Sequence, residues 1–246
     1  NNSDSIKVDN PLDNNRGYIR TNIIDSLLNN LIYNEKRQKD SIKIFEISDI
    51  YSSNKEGLKN ENKLAIMVSG RRGNNYIDFS KKLDRKYLTK LFQKIDINID
   101  KYIVNLSREN LVSKIQTPIF ALELPVEDLL VKIKDYVPIQ KPINYFIKYK
   151  SISDFPSSYR DLSFSIKSSH NINQVINILS GIKSEIIKHL FMFDFYENKQ
   201  TNETKVGYRF IFQSENRTLT DNEINKEIKK ITDLVLLVDS VSLPGS

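Results

Sequence analysis

The chain has no cysteine among its 246 residues and only two histidines, His170 and His189. Without cysteine, neither a disulfide framework nor a thiolate metal site or nucleophile can form, a pattern typical of proteins of the reducing cytosol. The two histidines fall in different predicted elements, so we expect surface or hydrogen-bonded roles for them and no general-base catalysis. We therefore expect no independent active site in this chain.

Long apolar runs and phosphate-binding loops are also missing. No stretch reaches the roughly 18 apolar residues that indicate a membrane-spanning helix, so we expect no membrane location. The segment Gly70–Gly73 lacks the length and the Lys-Ser/Thr ending of a phosphate-cradling loop, and it predicts a turn. Asp49, Glu56 and Glu61 share no metal-binding spacing. Because the sequence begins at Asn1 without an initiator methionine, we expect a fragment or a processed product.

Positive charge is present but unevenly distributed. The formal net charge is +6, and residues 1–147 account for +5 of it, with 24 basic and 19 acidic residues. Residues 148–246 contribute only +1, with 13 basic and 12 acidic residues. Nonspecific attraction to phosphate grows with clustered positive charge. The charge of the second half therefore gives no sign of polyanion binding, and any such binding there would depend on shape and individual side chains.

Length and composition predict two ordinary globular domains. Hydrophobic residues make up 39% and charged residues 28% of the chain, which is typical of folded domains. A length of 246 residues is enough for two domains, although length alone also permits one large domain. The prolines between Pro138 and Pro142 disfavour both helix and central strand. We therefore predict a domain boundary there, with domains at 1–140 and 147–243.

The first half is predicted to alternate helices and strands. Apolar residues at helical spacing predict helices at Arg20–Leu31 and Leu83–Ile95. Partial alternation predicts strands at Lys43–Tyr51, Leu64–Ser69 and Ile119–Leu124. The first domain is therefore predicted to be α+β.

The second half predicts the order β-α-β-β-α-β. The predicted elements are a strand at Leu162–Ile166, a helix at Asn171–Ile182, strands at His189–Glu197 and Lys205–Ser214, a helix from Thr220, and a strand at Val238–Leu243. Asn171 with Gln174, and Thr220 with Glu223, each predict a capping box at a helix start. This order is the ferredoxin-like arrangement of an antiparallel sheet with two helices.

The predicted sheet has one helix-covered face and one open face. Alternation assigns to the helix-covered face Leu162, Phe164, Ile166, Phe191, Phe193, Phe195, Val206, Tyr208, Phe210 and Phe212. It assigns to the open face Asp161, Ser163, Ser165, Met192, Asp194, Tyr196, Arg209, Ile211 and Gln213. A tyrosine beside an aspartate on an open face can stack a splayed base and accept a hydrogen bond from its edge. The same tyrosine can also simply cover a sheet edge.

Three separated motifs occur in the second half, at Arg160–Phe164, Phe193–Tyr196 and Gln213–Asp221. In order and spacing they resemble the anticodon-binding module of bacterial-type phenylalanyl-tRNA synthetase β subunits, over residues 148–243. The resemblance implies a ferredoxin-fold anticodon-binding domain that contacts the anticodon stem-loop of tRNA for phenylalanine. Asp194 and Tyr196 match positions associated with that contact, and Arg209 on the same open face is predicted to bind tRNA with them.

The first half contains Asp9–Leu12, Ile19–Thr21 and Ile44–Ile47, which resemble segments of the class II synthetase-like core of the same subunit. The resemblance implies a non-catalytic core with an antiparallel sheet, which docks the catalytic α subunit in a cytoplasmic heterotetramer. ATP and magnesium are then expected on the α subunit, with no cofactor bound by this chain. The assembly would attach phenylalanine to its tRNA, and this chain alone would be inactive.

The sequence departs from the family pattern at several positions. Asn22 stands where the family usually has Ser, and Asp25 where it usually has Pro. The region between Phe79 and Leu122 is shorter than the family pattern, so a minimal first domain is expected. Thr204–Tyr208 replaces a Lys-Ser-Leu-Ala-Phe-like run, which puts contacts at that strand start in doubt.

Two other functions compete with the synthetase interpretation. A stand-alone RNA-recognition motif protein shares the β-α-β-β-α-β order, but its third strand should place aromatic residues on the open face. Here Tyr208 and Phe210 share their alternation with the core residues. A structural module that contacts only proteins is the other alternative.

Overall fold

The described residues form two compact units. A computed structural model describes residues 6–12, 17–54, 57–95, 97–109, 111–130, 149 and 151–244. The first unit contains the described residues within Asn1–Arg71 and Lys82–Pro142, and the second those within Arg72–Lys81 and Ile143–Ser246. The predicted boundary at Pro138–Pro142 lies outside the described residues, so the predicted domain limits stay predictions.

The first unit is built on a four-stranded antiparallel sheet with strand order β1-β2-β4-β3. Its strands are β1 (Ser41–Asn54), β2 (Gly57–Gly70), β3 (Ile103–Leu106) and β4 (Ile119–Pro125). Its α-helices are α1 (Ile24–Glu35), α2 (Arg85–Leu91) and α3 (Val126–Leu130), and a 3₁₀ turn spans Asp100–Tyr102. The α+β class and the antiparallel sheet are confirmed, whereas the class II synthetase-like character of this unit stays a prediction.

Strands β1 and β2 are longer than the sequence predicts. They pair along their full length, from Ser41 opposite Gly70 to Asn54 opposite Gly57. The polar run 59–63 in β2 has no strand-like apolar alternation, but its backbone groups pair with β1. Backbone pairing thus extends β2 well before the predicted start at Leu64.

Apolar layers cover both faces of this sheet. One layer contains residues of α1 and the sheet, namely Ile23, Leu27, Leu31, Ile42, Ile50, Ala65, Met67, Ile119 and Ala121. The other contains Leu64, Val68, Leu83, Leu88, Phe92, Ile99, Ile103, Leu122, Leu124 and Leu129. Successive residues of β2 enter opposite layers, as strand alternation requires. Asp84 accepts a hydrogen bond from the Tyr87 N–H at 2.8 Å, which caps α2 and starts it two residues after the predicted position.

The second unit has an antiparallel sheet with strand order β6-β7-β5-β8. Its elements are β5 (Ser158–Ile166), α4 (Ser169–Ser180), β6 (Ile187–Asn198), β7 (Glu203–Phe212), α5 (Asp221–Val235) and β8 (Val241–Ser242). Both helices pack on one face, through a core of Phe164, Ile166, Val175, Leu179, Val206, Tyr208, Phe210, Phe212, Ile224, Ile231, Val235 and Val238. The predicted ferredoxin-like arrangement is confirmed.

The two predicted capping boxes have different outcomes. At α5 the box is confirmed, because Thr220 Oγ1 accepts from the Glu223 N–H at 3.4 Å and Glu223 accepts from the Thr220 N–H at 2.9 Å. At α4 the prediction is wrong, because the N-cap is Ser168 and Asn171 lies inside the first turn. The Asn171 side chain instead donates to the Asp239 carbonyl oxygen at 2.5 Å.

The last strand is much shorter than predicted. Only Val241–Ser242 pairs with β5, out of the predicted Val238–Leu243. The Val238 N–H donates to the Val235 carbonyl oxygen at 3.1 Å. The chain therefore continues in a helical turn where the alternating pattern predicts a strand.

Candidate nucleic-acid interface

The sheet of the second unit has a face opposite α4 and α5, which we call the distal face. Direct cross-strand pairs place Asp161 with Arg209 and Ser163 with Gly207 on this face. Lys205 lies on it as well, two residues before Gly207 in β7. The distal face corresponds to the open face predicted from the sequence.

A β-bulge changes the facing of β6. The register shifts between Met192 and Asp194, so Phe193 is the extra residue. Before the bulge, Phe191 lies opposite Arg209 on the distal face, whereas Met192 packs against the helix-covered core. The predictions that Phe191 and Phe193 face the helices and Met192 the open side are therefore wrong. Simple alternation cannot anticipate an inserted residue.

After the bulge, Asp194 and Tyr196 lie on the distal face. Asp194 is opposite Gly207, and Tyr196 is opposite Lys205. Both are exposed, with 57% of the Tyr196 surface accessible, and the Lys205 side chain is 48% accessible. Lys205 was not among the residues predicted for this face, although its even spacing from Arg209 in the same strand places it there.

Arg209 is held at the centre of the distal face. Its Nε and Nη2 donate to Asp161 Oδ1 and Oδ2 at 2.8 and 2.7 Å, which makes a bidentate ion pair. The guanidinium carbon lies 4.2 Å from the ring centre of Tyr159 and 4.8 Å from that of Phe79. Only 13% of the Arg209 side chain is accessible. Its predicted contact with tRNA stays a prediction, and in this structure its guanidinium binds protein groups.

An aromatic cluster surrounds this ion pair. Phe79 belongs to residues 72–81 of the second unit, and its ring centre lies 5.9 Å from that of Phe191 and 5.2 Å from that of Phe193. A Cβ atom on Gly207 would lie 2.8 Å from Phe193 Cζ, so the glycine lets the Phe193 ring rest on the strand. Sequence patterns could not place Phe79 here, because it lies far from β6 along the chain.

His189 pairs with Ile211, so it lies on the same side of β6 as Phe191. His189 is exposed on β6. The part of the chain that the structure describes contains no group of three or more His, Cys, Asp or Glu side chains able to hold a metal ion. Among the described helices, none combines the length and apolar character needed to cross a membrane. Asp194 and Tyr196 offer hydrogen bonding and ring stacking.

Two motifs of the first half meet in the first unit. Arg20, from the motif Ile19–Thr21, donates from Nη1 to Glu46 Oε1 at 2.6 Å and also donates to Ser48. Glu46 belongs to the motif Ile44–Ile47 in β1. The ion pair therefore fixes the segment before α1 against β1.

Comparisons with known proteins agree with these structural features. Residues 153–238 match the family model of the ferredoxin-fold anticodon binding domain. Residues 1–102 match the model of the phenylalanyl tRNA synthetase beta chain CLM domain. The fold and these two matches define the chain as part of an aminoacyl-tRNA synthetase.

Similar curated proteins identify the family. The chain is 26% identical over 260 residues to the phenylalanine–tRNA ligase β subunit of Syntrophus aciditrophicus, covering 94% of this chain and 32% of that protein. It is 28% identical over 258 residues to the β subunit of Mycoplasma mycoides, covering 93% and 32%. It is 33% identical over 89 residues to the chloroplastic/mitochondrial phenylalanine–tRNA ligase of Arabidopsis thaliana, covering 36% and 21%. The chain belongs to the phenylalanyl-tRNA synthetase β-subunit family and spans about a third of the length of these bacterial relatives.

Proposed function

We propose that the chain binds the anticodon region of tRNA for phenylalanine and docks the catalytic α subunit, as the β-subunit portion of phenylalanine–tRNA ligase. The observation that carries the proposal is the exposed pair Asp194 and Tyr196 on the distal face of a domain that matches an anticodon-binding family. ATP, magnesium and phenylalanine are assigned to the α subunit in a heterotetramer. The isolated chain is expected to form no phenylalanyl-adenylate.

The distal face offers three kinds of contact to a single-stranded anticodon. The Tyr196 ring can stack a splayed base, and such a contact contributes about 1–3 kcal/mol. The Asp194 carboxylate can accept a hydrogen bond from a base edge. Lys205, directly opposite Tyr196, can neutralise a phosphate beside the stacked base. The small net charge of the second half supports recognition by these individual side chains.

Substitution of Tyr196 tests this site in the enzyme assembled with its α subunit. Tyr196→Ala should weaken binding of the anticodon stem-loop about 5- to 150-fold, which corresponds to the loss of one stacking contact. The dissociation constant measures this directly. Tyr18→Ala is a matched control, because Tyr18 is also a mostly exposed tyrosine and lies in the first unit. Equal affinity of the Tyr196→Ala and unmodified enzymes would show that the proposed site is wrong.

An exposed apolar stripe in the first unit supports docking of the α subunit. Phe45 and Ile47 in β1 are 70% and 57% exposed, and Leu58 in β2 is 68% exposed. Leu58 pairs with Ser53, which has the same alternation as Phe45 and Ile47, so the three side chains share one side of the hairpin. Phe45 and Ile47 are neighbours on this side, and Leu58 lies further along it, beyond the pair of Asp49 with Asn62. Exposed apolar residues grouped on one face mark protein interaction sites. We assign this stripe to the α subunit and the first unit to the non-catalytic class II-like core.

Co-purification with the α subunit tests the docking surface. The substitution Ile47→Lys should strongly reduce recovery of the α subunit, because it places a charge in the apolar stripe. Val112→Lys is the control, since Val112 is 80% exposed in the first unit and lies outside the stripe. Full recovery with Ile47→Lys would exclude the stripe as the docking surface. Failure of the unmodified chain to bind the α subunit would favour a stand-alone RNA-binding or structural module.

A further inference from the structure

The loop from Arg72 to Lys81 is closed on itself within the second unit. The Arg72 N–H donates to the Lys81 carbonyl oxygen at 3.0 Å, which ties the two ends of the loop together. Inside the loop, Asn75 Oδ1 accepts from the Asp78 N–H at 3.0 Å and the Asn75 carbonyl accepts from the Phe79 N–H at 2.8 Å. The backbone that leads into Phe79 is therefore fixed by local hydrogen bonds.

Phe79 is the side chain that this loop buries. It is only 8% exposed, whereas Tyr76 and Ile77 in the same loop are 48% and 55% exposed. Phe79 packs against Phe191 and Phe193, as described above. A buried phenylalanine contributes a large apolar contact area and ring-to-ring packing. The buried ring of Phe79 thus attaches the loop to β6.

The contacts of the loop lie on both sides of Asp194. Phe191 and Phe193 precede it, and the Tyr76 ring lies 5.6 Å from the ring of Phe195 directly after it. Asp194 and Tyr196 are therefore interleaved with residues that the loop contacts. These contacts cover the bulged part of β6.

This part of β6 has backbone support from one side in the described sheet. The strand order places β6 at the end of the sheet, paired with β7. Edge strands and bulges have weaker local hydrogen-bonding support than central strands, and they open more readily. Packing by the loop supports this part of β6, which has backbone hydrogen bonds to β7 on one side.

We propose that Phe79 is a positioning residue for anticodon recognition. The loop holds the bulged stretch of β6 in the geometry that presents Asp194 and Tyr196. A pre-ordered binding surface loses less conformational entropy on binding. The inference rests on the proposed function, which supplies its ligand, the anticodon stem-loop. The clamping of β6 by the loop can be measured without RNA.

Three single substitutions in the enzyme assembled with its α subunit test the proposal. Phe79→Ala removes the buried ring, Phe79→Leu keeps an apolar side chain of similar reach, and Ile77→Ala is the control in the exposed part of the loop. Hydrogen exchange of β6 amides should accelerate about tenfold or more in Phe79→Ala and stay near the unmodified rate in Ile77→Ala. Exchange in β1 and β2 should not change. Phe79→Leu should restore most of the protection.

RNA selectivity is the second measurement. The ratio of affinities for the cognate stem-loop and a stem-loop with a substituted anticodon should fall about fivefold or more in Phe79→Ala. General destabilisation lowers the active fraction for both RNAs equally and leaves this ratio unchanged, so an unchanged ratio would overturn the positioning role. Unchanged β6 exchange in Phe79→Ala would overturn the clamping. If the unmodified enzyme does not distinguish the two RNAs, the proposed function fails, and the exchange comparison still decides the clamping.

Discussion

The two sheets of the protein receive their support in different ways. In the first unit, apolar layers lie on both faces of the sheet. In the second unit, two helices cover one face, and the distal face carries a compact aromatic cluster around one ion pair. This cluster leaves Asp194 and Tyr196 exposed nearby. A sheet can thus keep polar and aromatic side chains accessible when a small, separate cluster stabilises the same face.

One arginine–carboxylate pair in each unit shows a related difference, in how far water reaches the acidic side chain. In the first unit Arg108 contacts Glu35 at 2.7 Å, with 10% and 1% of their side chains accessible. Arg108 also donates to the Ser69 hydroxyl at 3.0 Å, and Ser113 donates to Glu35 at 2.5 Å. In the second unit the side chain of Asp161 is 35% accessible and that of its partner Arg209 is 13% accessible. Water reaches the acidic side chain of the second pair but is almost excluded from that of the first.

The largest predicted effect separates these two ion pairs. Glu35→Ala leaves the Arg108 charge buried without its partner and should lower the free energy of unfolding by about 3–5 kcal/mol. Asp161→Ala should cost less, about 1–2 kcal/mol, because the Asp161 side chain is 35% accessible and water can take its place beside the Arg209 guanidinium. Urea unfolding monitored by hydrogen exchange in each unit measures the loss of unfolding free energy in both variants.

The double variant Glu35→Ala with Arg108→Met is the control for this comparison. It removes both charges and should recover a large part of the lost stability, because no unpaired charge remains buried. Equal losses in Glu35→Ala and Asp161→Ala would contradict the difference in solvation between the two units.

A smaller effect is expected from the glycine beneath the aromatic cluster. Gly207→Ala places a Cβ atom 2.8 Å from Phe193 Cζ and 3.0 Å from Asp194 Cβ, so the ring and the bulge must shift. We expect a loss of about 1–3 kcal/mol in the second unit, measured by urea unfolding, together with weaker stem-loop binding. Ser163→Ala, on the exposed neighbouring position of β5, should change stability by less than about 0.5 kcal/mol. Wild-type stability in Gly207→Ala would show that the cluster is loosely packed.

The smallest effect concerns the pH dependence of the second unit. The hydrogen bond from Arg217, followed by those from the Thr220 backbone and hydroxyl, lowers the pKa of Glu223 from 4.5 to about 2. Because the folded pKa is depressed, the stabilisation is fully present above pH 4.5 and is lost as the pH falls through about 2. Glu223→Gln should remove this part of the acid sensitivity, as measured by the urea midpoint of the second unit against pH.

The first unit provides the internal control for this pH experiment, since it does not contain Glu223. Its pH profile should be the same in the unmodified and Glu223→Gln proteins. An identical acid profile of the second unit in both proteins would mean that the cap contributes no pH-dependent stability.

Local signals predicted much of the second unit. The capping box at Thr220 depends on residues within a few positions, and it is confirmed. Alternation also placed Asp194 and Tyr196 on the open face, as the register shows, although their contact with RNA stays a prediction.

The features that the sequence did not predict depend on residues far away along the chain. The polar run 59–63 becomes a strand because β1 lies beside it. Residues 72–81 join the second unit through ring contacts with β6, and spacing patterns within the loop contain no sign of those contacts. The bulge at Phe193 depends on the register with β7, which alternation within a single strand does not determine.

The bulge determines which residues of β6 face each side of the sheet after Phe193, because side chains alternate between the two faces. Between Met192 and Glu197 the strand uses one residue more than β7 does between Tyr208 and Thr204, so everything after Phe193 is shifted by one position. If the same residues paired without a bulge, Asp194 would lie opposite Val206 and would face the helices. Deleting Phe193 would leave Asp194 opposite Gly207, while the bulge and the Phe193 ring would be lost. The length of this stretch, counted against β7, therefore determines which side chains the distal face displays.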